Sequence, residues 1–240
     1  MKFKRVLIKV SGERFAEQGQ TGFCPGKQGV DAAAVLTLAQ DIKALWKKKI
    51  QVAIVVGGGN FWRYRDNKKL TISRTASDAI GMLATMMNTR LLQEALESVG
   101  VPAHSLSAHG NFYFTEPYAP SRGQKLLSEN RVVICGGGTG NAYFTTDTAA
   151  ALRALELNCD VLLKATQVLG VYDKDPMKHK NARLFSKISY AEVLKRELQV
   201  MDLSAILLCK DNGLPVLVFQ GKPGNLLKAA TGKKIGSLIS

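Results

Sequence analysis

The sequence predicts a three-layer α/β/α sandwich around a largely parallel sheet, on three observations. Short apolar runs rich in β-branched residues alternate with longer stretches of helical periodicity. The runs are continuously apolar rather than alternating, as strands covered on both faces should be. Glycines gather where several of the runs end, so strands give way to tight loops along one side of the sheet.

The chain opens with basic residues and an apolar stretch, 6–10, that is broken at Lys9. That is too short for a secretory leader and right for a first strand. Residues 31–49 have helical periodicity and end in Lys47, Lys48 and Lys49, where cations complement the negative pole of a helix. This triple lysine reads as a solvated helix end. A second strand is predicted at 51–56, a long helix at 72–99 and a third strand at 131–135. A helix at 145–157, a strand at 161–163, helices at 190–198 and 204–211 and a strand at 215–219 complete the pattern. No repeat, linker or low-complexity tract divides it, so residues 1–240 are expected to form one domain.

Apolar residues make up 46% and charged residues 22%, the balance of a globular chain that buries a sizeable core. No apolar run approaches the roughly 20 residues that span a bilayer, and a cytoplasmic protein is expected. Four scattered cysteines without a CxxC pair, and three scattered histidines, argue against a disulfide framework or a metal cluster. Cys24, Cys135, Cys159 and Cys209 are expected to be free, buried or half-buried thiols. The net charge of +14 favours anionic partners, whether nucleotides, nucleic acid or acidic membranes, without choosing among them.

Three glycine-bearing loops follow predicted strands: Ser11-Gly12-Glu13, Gly57-Gly58-Gly59-Asn60 and Gly136-Gly137-Gly138-Thr139-Gly140-Asn141. In open α/β sheets ligands sit beyond the carboxyl ends of the strands. Glycine lets bare backbone N–H groups approach a phosphate there. Helical sequence is expected after the second and third loops, where a helix N-terminus would add positive charge. Two other nucleotide signatures fail. The stretch 22–28 has the wrong spacing for a P-loop, and the loop from Gly136 lacks the final glycine of a dinucleotide fingerprint.

Two lysines interrupt apolar strands near their ends, Lys9 and Lys164. A buried unpaired lysine is costly, so each must either pair with an acid or meet a ligand phosphate. Two of them in one sheet point to positive groups converging on one anion, as phosphoryl transfer demands.

At these residues the sequence resembles the bacterial uridylate kinases of the amino-acid-kinase superfamily, over almost its whole length. The matching stretches are KVSGE (9–13), VVGGGNFWR (55–63), GMLATMMN (81–88), GTGNAYFTTDTAA (138–150), LLKATQVLGVYDKDP (162–176), LQVMD (198–202) and KPGN (222–225). The resemblance implies an amino-acid-kinase-like fold and transfer of the γ-phosphate of ATP to UMP, with Mg²⁺ riding on the ATP and no dedicated protein metal site. It implies that Lys9, Lys164 and Asp147 are catalytic, Asp147 organising the lysines. ATP would be held by Lys9, Val10, Ser11, Gly12, Gly59, Thr166, Tyr172 and Asp175. UMP would be held by Gly58, Arg63, Asp78, Thr139, Gly140, Asn141, Ala142, Tyr143, Phe144, Thr145 and Thr146. Arg63, placed in a helix after the second glycine loop, would grip the phosphate, and Asp78 the ribose hydroxyls. A homo-oligomer of hexameric type, GTP and UTP effectors and a role in pyrimidine nucleotide synthesis follow from the same resemblance. Neither membrane nor nucleic acid is expected as a partner.

The sequence departs from the family pattern in three places. A glycine usually follows the arginine matching Arg63, but Tyr64 and a basic stretch, 64–69, stand here. The stretch 108–114 is unusual, and its His109 is expected to be a structural or interface residue. The loop 219–223 is one residue short. Two alternatives stay open: a nucleotide-responsive nucleic-acid-binding regulator on this fold, motivated by charge, and a kinase of another small acid. The presence of Lys9, Arg63, Asp147 and Lys164 argues for retained catalysis.

Overall fold

A computed structural model describes residues 3–16, 29–64 and 71–240. In chain order it contains β1 (Arg5–Val10), a 3-10 turn (Gly12–Phe15), α1 (Ala32–Lys47), β2 (Gln51–Val56), α2 (Arg74–Ser98), β3 (Ala103–Ser107) and β4 (Glu116–Pro117). Then follow α3 (Pro120–Ser128), β5 (Val132–Gly136), α4 (Thr146–Glu156), β6 (Val161–Thr166), β7 (Lys187–Ile188) and α5 (Tyr190–Lys195). The chain closes with α6 (Leu203–Asp211), β8 (Val216–Gln220), α7 (Asn225–Ala230) and β9 (Ser237–Ile239).

Among the described residues, nine strands form one sheet in the order β4-β3-β5-β2-β1-β6-β8-β9-β7. Every neighbouring pair is parallel except β8–β9. The expected largely parallel sheet is therefore present, with β1 at its centre.

The apolar runs split by alternation into two cores, because successive strand residues face opposite sides. Val6, Ile8 and Val10 join Ile54, Val56, Leu38, Ile42 and Leu92 under α1, α2 and α7. Leu7, Val55, Val133 and Leu162 join Ala150, Ala154, Ile206 and Cys209 under α4 and α6. Lys9 has the parity of Leu7, and Lys164 that of Leu162, so both lysines fall on the α4 side.

The caps agree with local sequence chemistry. Asp31 accepts from the N–H of Ala33 at the start of α1, Ser73 from Ala76 in α2, and Thr145 from Asp147 in α4. Each cap contributes about 1 kcal/mol. Lys47, Lys48 and Lys49 are exposed, the solvated helix end expected. Cys135, Cys159 and Cys209 are free and buried, and burial pushes the Cys135 thiol up to about 12. Cys24, the stretch 22–28 and residues 65–69 of the basic segment lie outside the described residues.

Several expectations change. The sequence signal missed β3, β4, α3, β7, α7 and β9. The helix expected at 190–198 stops at Lys195. The strand expected at 161–163 runs on to Thr166, so Lys164 sits inside it rather than at its end.

Candidate active site

The carboxyl ends of β1, β2, β5 and β6 bring the three glycine loops and both lysines to one side of the sheet. Lys9 and Lys164 are direct register partners on the parallel pair β1–β6. Two ammonium groups side by side in a sheet repel unless an anion lies between them, and Asp147 supplies it. Its carboxylate meets Lys9 Nζ at 3.0 Å through Oδ1 and accepts from Lys164 Nζ at 2.5 Å through Oδ2. All three residues are at least nine-tenths buried.

The local fold explains the placement. Asp147 stands in the first turn of α4, where the helix pole favours a carboxylate. Burial alone would raise its pKa, but the ammonium groups of Lys9 and Lys164 hold it below the usual carboxylate value. Burial lowers the pKa of Lys164, with Asp147 opposing and the like charge of Lys9 reinforcing that shift. One carboxylate between two ammonium groups leaves a unit of positive charge to be met by an incoming anion. Lys164 also donates to the carbonyl of Val200 at 2.6 Å, and Lys9 to Ser11 Oγ at 3.4 Å.

The glycines of the first two loops serve close packing. A Cβ on Gly12 would lie 2.5 Å from the Gly59 nitrogen, and one on Gly58 would strike Ala84 and the Gly81 carbonyl of α2. A fully buried amide pair fixes this junction. Asn60 and Asn88 exchange hydrogen bonds at 2.7 and 3.1 Å, and Asn88 also donates to the Gly57 carbonyl at 2.7 Å. The third loop needs glycine for conformation instead: Gly137, Gly138 and Gly140 all have positive φ.

The expected helix N-termini do not directly follow these loops. After Gly59 the chain turns back, with Phe61 and Trp62 donating to the Gly58 carbonyl, and α2 begins only at Arg74. Arg63 therefore lies outside any helix. It donates to the Gly59 carbonyl at 3.0 Å and pairs with Glu13 at 2.5 Å, tying the first two loops together. The third loop runs through residues 141–145 before α4 begins at Thr146.

Of the expected UMP residues, Thr139 to Thr146 belong to that third loop and the segment after it, and Asp78 meets them, whereas Gly58 and Arg63 stand at the junction of the first two loops. Thr139 Oγ1 accepts from the N–H of Asn141 at 3.2 Å. The N–H of Tyr143 reaches across to Asp78 of α2 at 2.7 Å. Tyr143 and Phe144 are exposed, and Ala142 and Thr146 half-buried. Thr145 donates to Asp202. His109, expected to be structural or at an interface, has its Nε2 3.0 Å from the Gly140 carbonyl. A carbonyl only accepts, so Nε2 carries the proton. From beneath, the buried guanidinium of Arg153 donates to the Gly138 carbonyl at 3.3 Å and stacks 3.9 Å over Tyr118.

The expected ATP residues fall into two groups. Val10, Ser11, Gly12 and Gly59 adjoin Lys9 at the centre. Thr166, Tyr172 and Asp175 line a cavity of about 490 Å³ together with Arg196, Gln199 and Val200. A second cavity of about 420 Å³ is lined by Asp147, Lys164, Met201 and Asp202 and shares Gln199 and Val200 with the first. Lys164 and Asp147 thus line a hollow of nucleotide size.

Four polar residues of the site had no role in the sequence reading. Asp202 closes the quoted stretch LQVMD, and its pKa is raised by burial and by Asp147. Glu13 closes KVSGE, and Asn88 closes GMLATMMN. Arg74 lies four residues before Asp78, a helical pairing distance that was there to be read.

The amino acid kinase family model matches residues 4–220. The chain is similar to the crystal structure of UMP kinase from Bacillus anthracis, at 34% identity and TM-score 0.94 over 100% of this chain and 97% of that one. It is similar to UMP kinase from Ureaplasma parvum, at 33% identity and TM-score 0.91 over the whole of both chains. Uridylate kinase from Archaeoglobus fulgidus matches over the whole of both chains at 27% identity and TM-score 0.73.

Proposed function

The chain belongs to the UMP kinases of the amino acid kinase family, and from that premise we propose that it transfers the γ-phosphate of ATP to UMP, giving UDP and ADP. The observation that carries the reading is the buried Lys9–Asp147–Lys164 triad, two of whose members, Asp147 and Lys164, line a nucleotide-sized hollow.

The geometry suits in-line transfer. The bond from Pγ to the bridging oxygen of ATP breaks, and a bond from Pγ to a phosphate oxygen of UMP forms. The acceptor oxygen is already anionic, so no base has to create it. Asp147, held by two ammonium groups and low in pKa, is a poor base and serves to aim the lysines. Lys9 and Lys164 neutralise charge on the transferred group, where fixed cations in a dry site are most effective. Arg63 would meet two oxygens of the UMP phosphate, Asp78 the ribose hydroxyls, and the segment 139–146 the rest of the nucleotide. Thr166, Tyr172 and Asp175 would hold the adenosine of ATP.

The residues fit a Mg²⁺ carried by the nucleotide. Asp147 and Asp202 line the second cavity together, where their carboxylates would face such a cation through its water shell. When bound, the cation would neutralise charge on the ATP phosphates. We further propose a cytoplasmic homohexamer in pyrimidine nucleotide synthesis, responsive to GTP and UTP. No helix among the described residues is long and apolar enough to cross a membrane.

The test is ADP release from Mg-ATP with UMP, CMP, dTMP, acetylglutamate or aspartate offered separately. Rapid turnover with UMP is expected. Turnover with an amino acid instead would overturn the acceptor, and none with any acceptor from folded protein would overturn catalysis.

A further inference from the structure

Arg74 occupies a position that the transfer chemistry leaves unused. Its guanidinium lies over two tyrosine rings, its central carbon 5.5 Å from the centroids of both Tyr64 and Tyr143. Its Nε donates to both carboxylate oxygens of Asp78 at 2.8 Å. The same carboxylate accepts the backbone N–H of Tyr143 at 2.7 Å. Tyr143 has φ 71°, a left-handed conformation that a bulky residue keeps only when its surroundings hold it.

These contacts form one unit. Tyr64 comes from the segment after the second glycine loop, Arg74 and Asp78 from the first turns of α2, and Tyr143 from the third loop. A planar guanidinium serves both jobs, stacking on two rings while donating in a fixed direction. A carboxylate has about four acceptor positions, so Asp78 keeps capacity for a further donor after these contacts. Its plane, however, is set by Arg74. Tyr64 is the residue standing where the family pattern has glycine, so the outer ring of the stack belongs to this chain's own departure.

We propose that Arg74 is a positioning residue for the acceptor nucleotide: held over the rings of Tyr64 and Tyr143, it fixes Asp78 and the Tyr143 turn as one wall of the nucleoside pocket and so sets the preference for ribose over 2′-deoxyribose. The inference rests on UMP being the acceptor. An Asp78 carboxylate held in one orientation offers its remaining acceptor position to the ribose 2′-hydroxyl, the donor that 2′-deoxyuridine monophosphate lacks. A carboxylate free to rotate discriminates less between the two.

The experiment measures kcat and KM for UMP, 2′-deoxyuridine monophosphate and ATP in the parent protein and in Arg74→Ala, Arg74→Lys and Tyr64→Gly, with circular dichroism to confirm folding. Arg74→Ala should raise the KM for UMP about tenfold, as loss of a charge-assisted contact does. It should also reduce the preference for UMP over the deoxynucleotide severalfold while leaving the KM for ATP within about twofold. Arg74→Lys, which keeps charge but not the planar stack, should fall between. Tyr64→Gly should move the same two quantities in the same direction, by less. If the parent uses UMP and folded Arg74→Ala keeps both its KM for UMP and its ribose preference, or weakens ATP and UMP equally, the inference fails alone. If the parent does not use UMP, the substrate reading fails and takes the inference with it.

Discussion

The buried lysine centre and the proposed nucleoside rim of the same site are built on different principles. At the centre, Lys9, Lys164 and Asp147 stand on two neighbouring strands and the first turn of a helix, shielded from water. At the rim, Tyr143 and Phe144 are exposed on a loop whose shape depends on glycines with positive φ and on a few cross-segment ties. The centre is rigid because moving any member would leave a charge buried without a partner. The rim is held by part-exposed hydrogen bonds and ring contacts, with no fully shielded triad of charges. Rate should therefore be governed by the centre and acceptor affinity by the rim.

The largest effect should come from the centre. Lys9→Ala or Asp147→Ala should lower kcat by about a hundredfold to a thousandfold, the scale of losing a fixed electrostatic group. Asp147→Ala should also cost roughly 3–5 kcal/mol of stability by stranding two ammonium groups, which urea unfolding would register. Full activity in either folded variant would remove the centre from the chemistry. At the rim, Arg63→Ala should raise the KM for UMP about tenfold to a hundredfold with kcat little changed. A collapse of kcat there instead would erase the division between the two regions.

The pH dependence sharpens the same contrast. Burial lowers the pKa of Lys164, so its ammonium is lost at a lower pH than an ordinary lysine's 10.5. Turnover should fall as pH rises through that lowered value, by about tenfold per unit at its steepest. Arg63 variants should keep this alkaline limb, whereas Lys164→Arg should move it. Asp147 works with the opposite sign. Its folded pKa is depressed, so its contribution to stability is present above 3.8 and disappears as pH falls through the lower folded value. The smallest effect should be that of His109→Ala, about twofold to fivefold on the KM for UMP, because an exposed hydrogen bond to Gly140 contributes little. An unchanged KM would make His109 a bystander.

Legibility in the sequence followed burial. β1, β2, β5, β6 and β8 were readable because strands covered on both faces must be apolar throughout. β4 and β7 have two residues each and β9 three, too few for any periodicity to register. α3 was hidden by its composition, PSRGQKLLS, in which only Gly123, Leu126 and Leu127 are buried. The site divides in the same way. A lysine inside an apolar strand demands a partner, and residue chemistry alone raised that question for Lys9 and Lys164. The answer, Asp147, came from family resemblance, since nothing local marks one carboxylate in a helix as the partner of two distant lysines. Arg63 and Asp78 also needed the resemblance, and Asn60–Asn88 and Arg74 became visible only when separate segments met. The glycine loops point to phosphate cradles in the sequence, while the fold shows that close packing alone already demands Gly12, Gly57 and Gly58.

The register of Lys9 against Lys164 also constrains how the molecule assembles. β1 and β6 are far apart in the chain, so closing this pair carries a high loop-entropy cost. It also forces two ammonium groups together. The pairing is tolerable only once α4 delivers Asp147, so helix docking and closure of the sheet's centre become one event on the way to the native state. Asp147→Asn should therefore slow refolding more than it speeds unfolding, as stopped-flow kinetics would reveal. The carboxylate that keeps the lysines ready for phosphate would then also serve as the latch that lets the two halves of the sheet join.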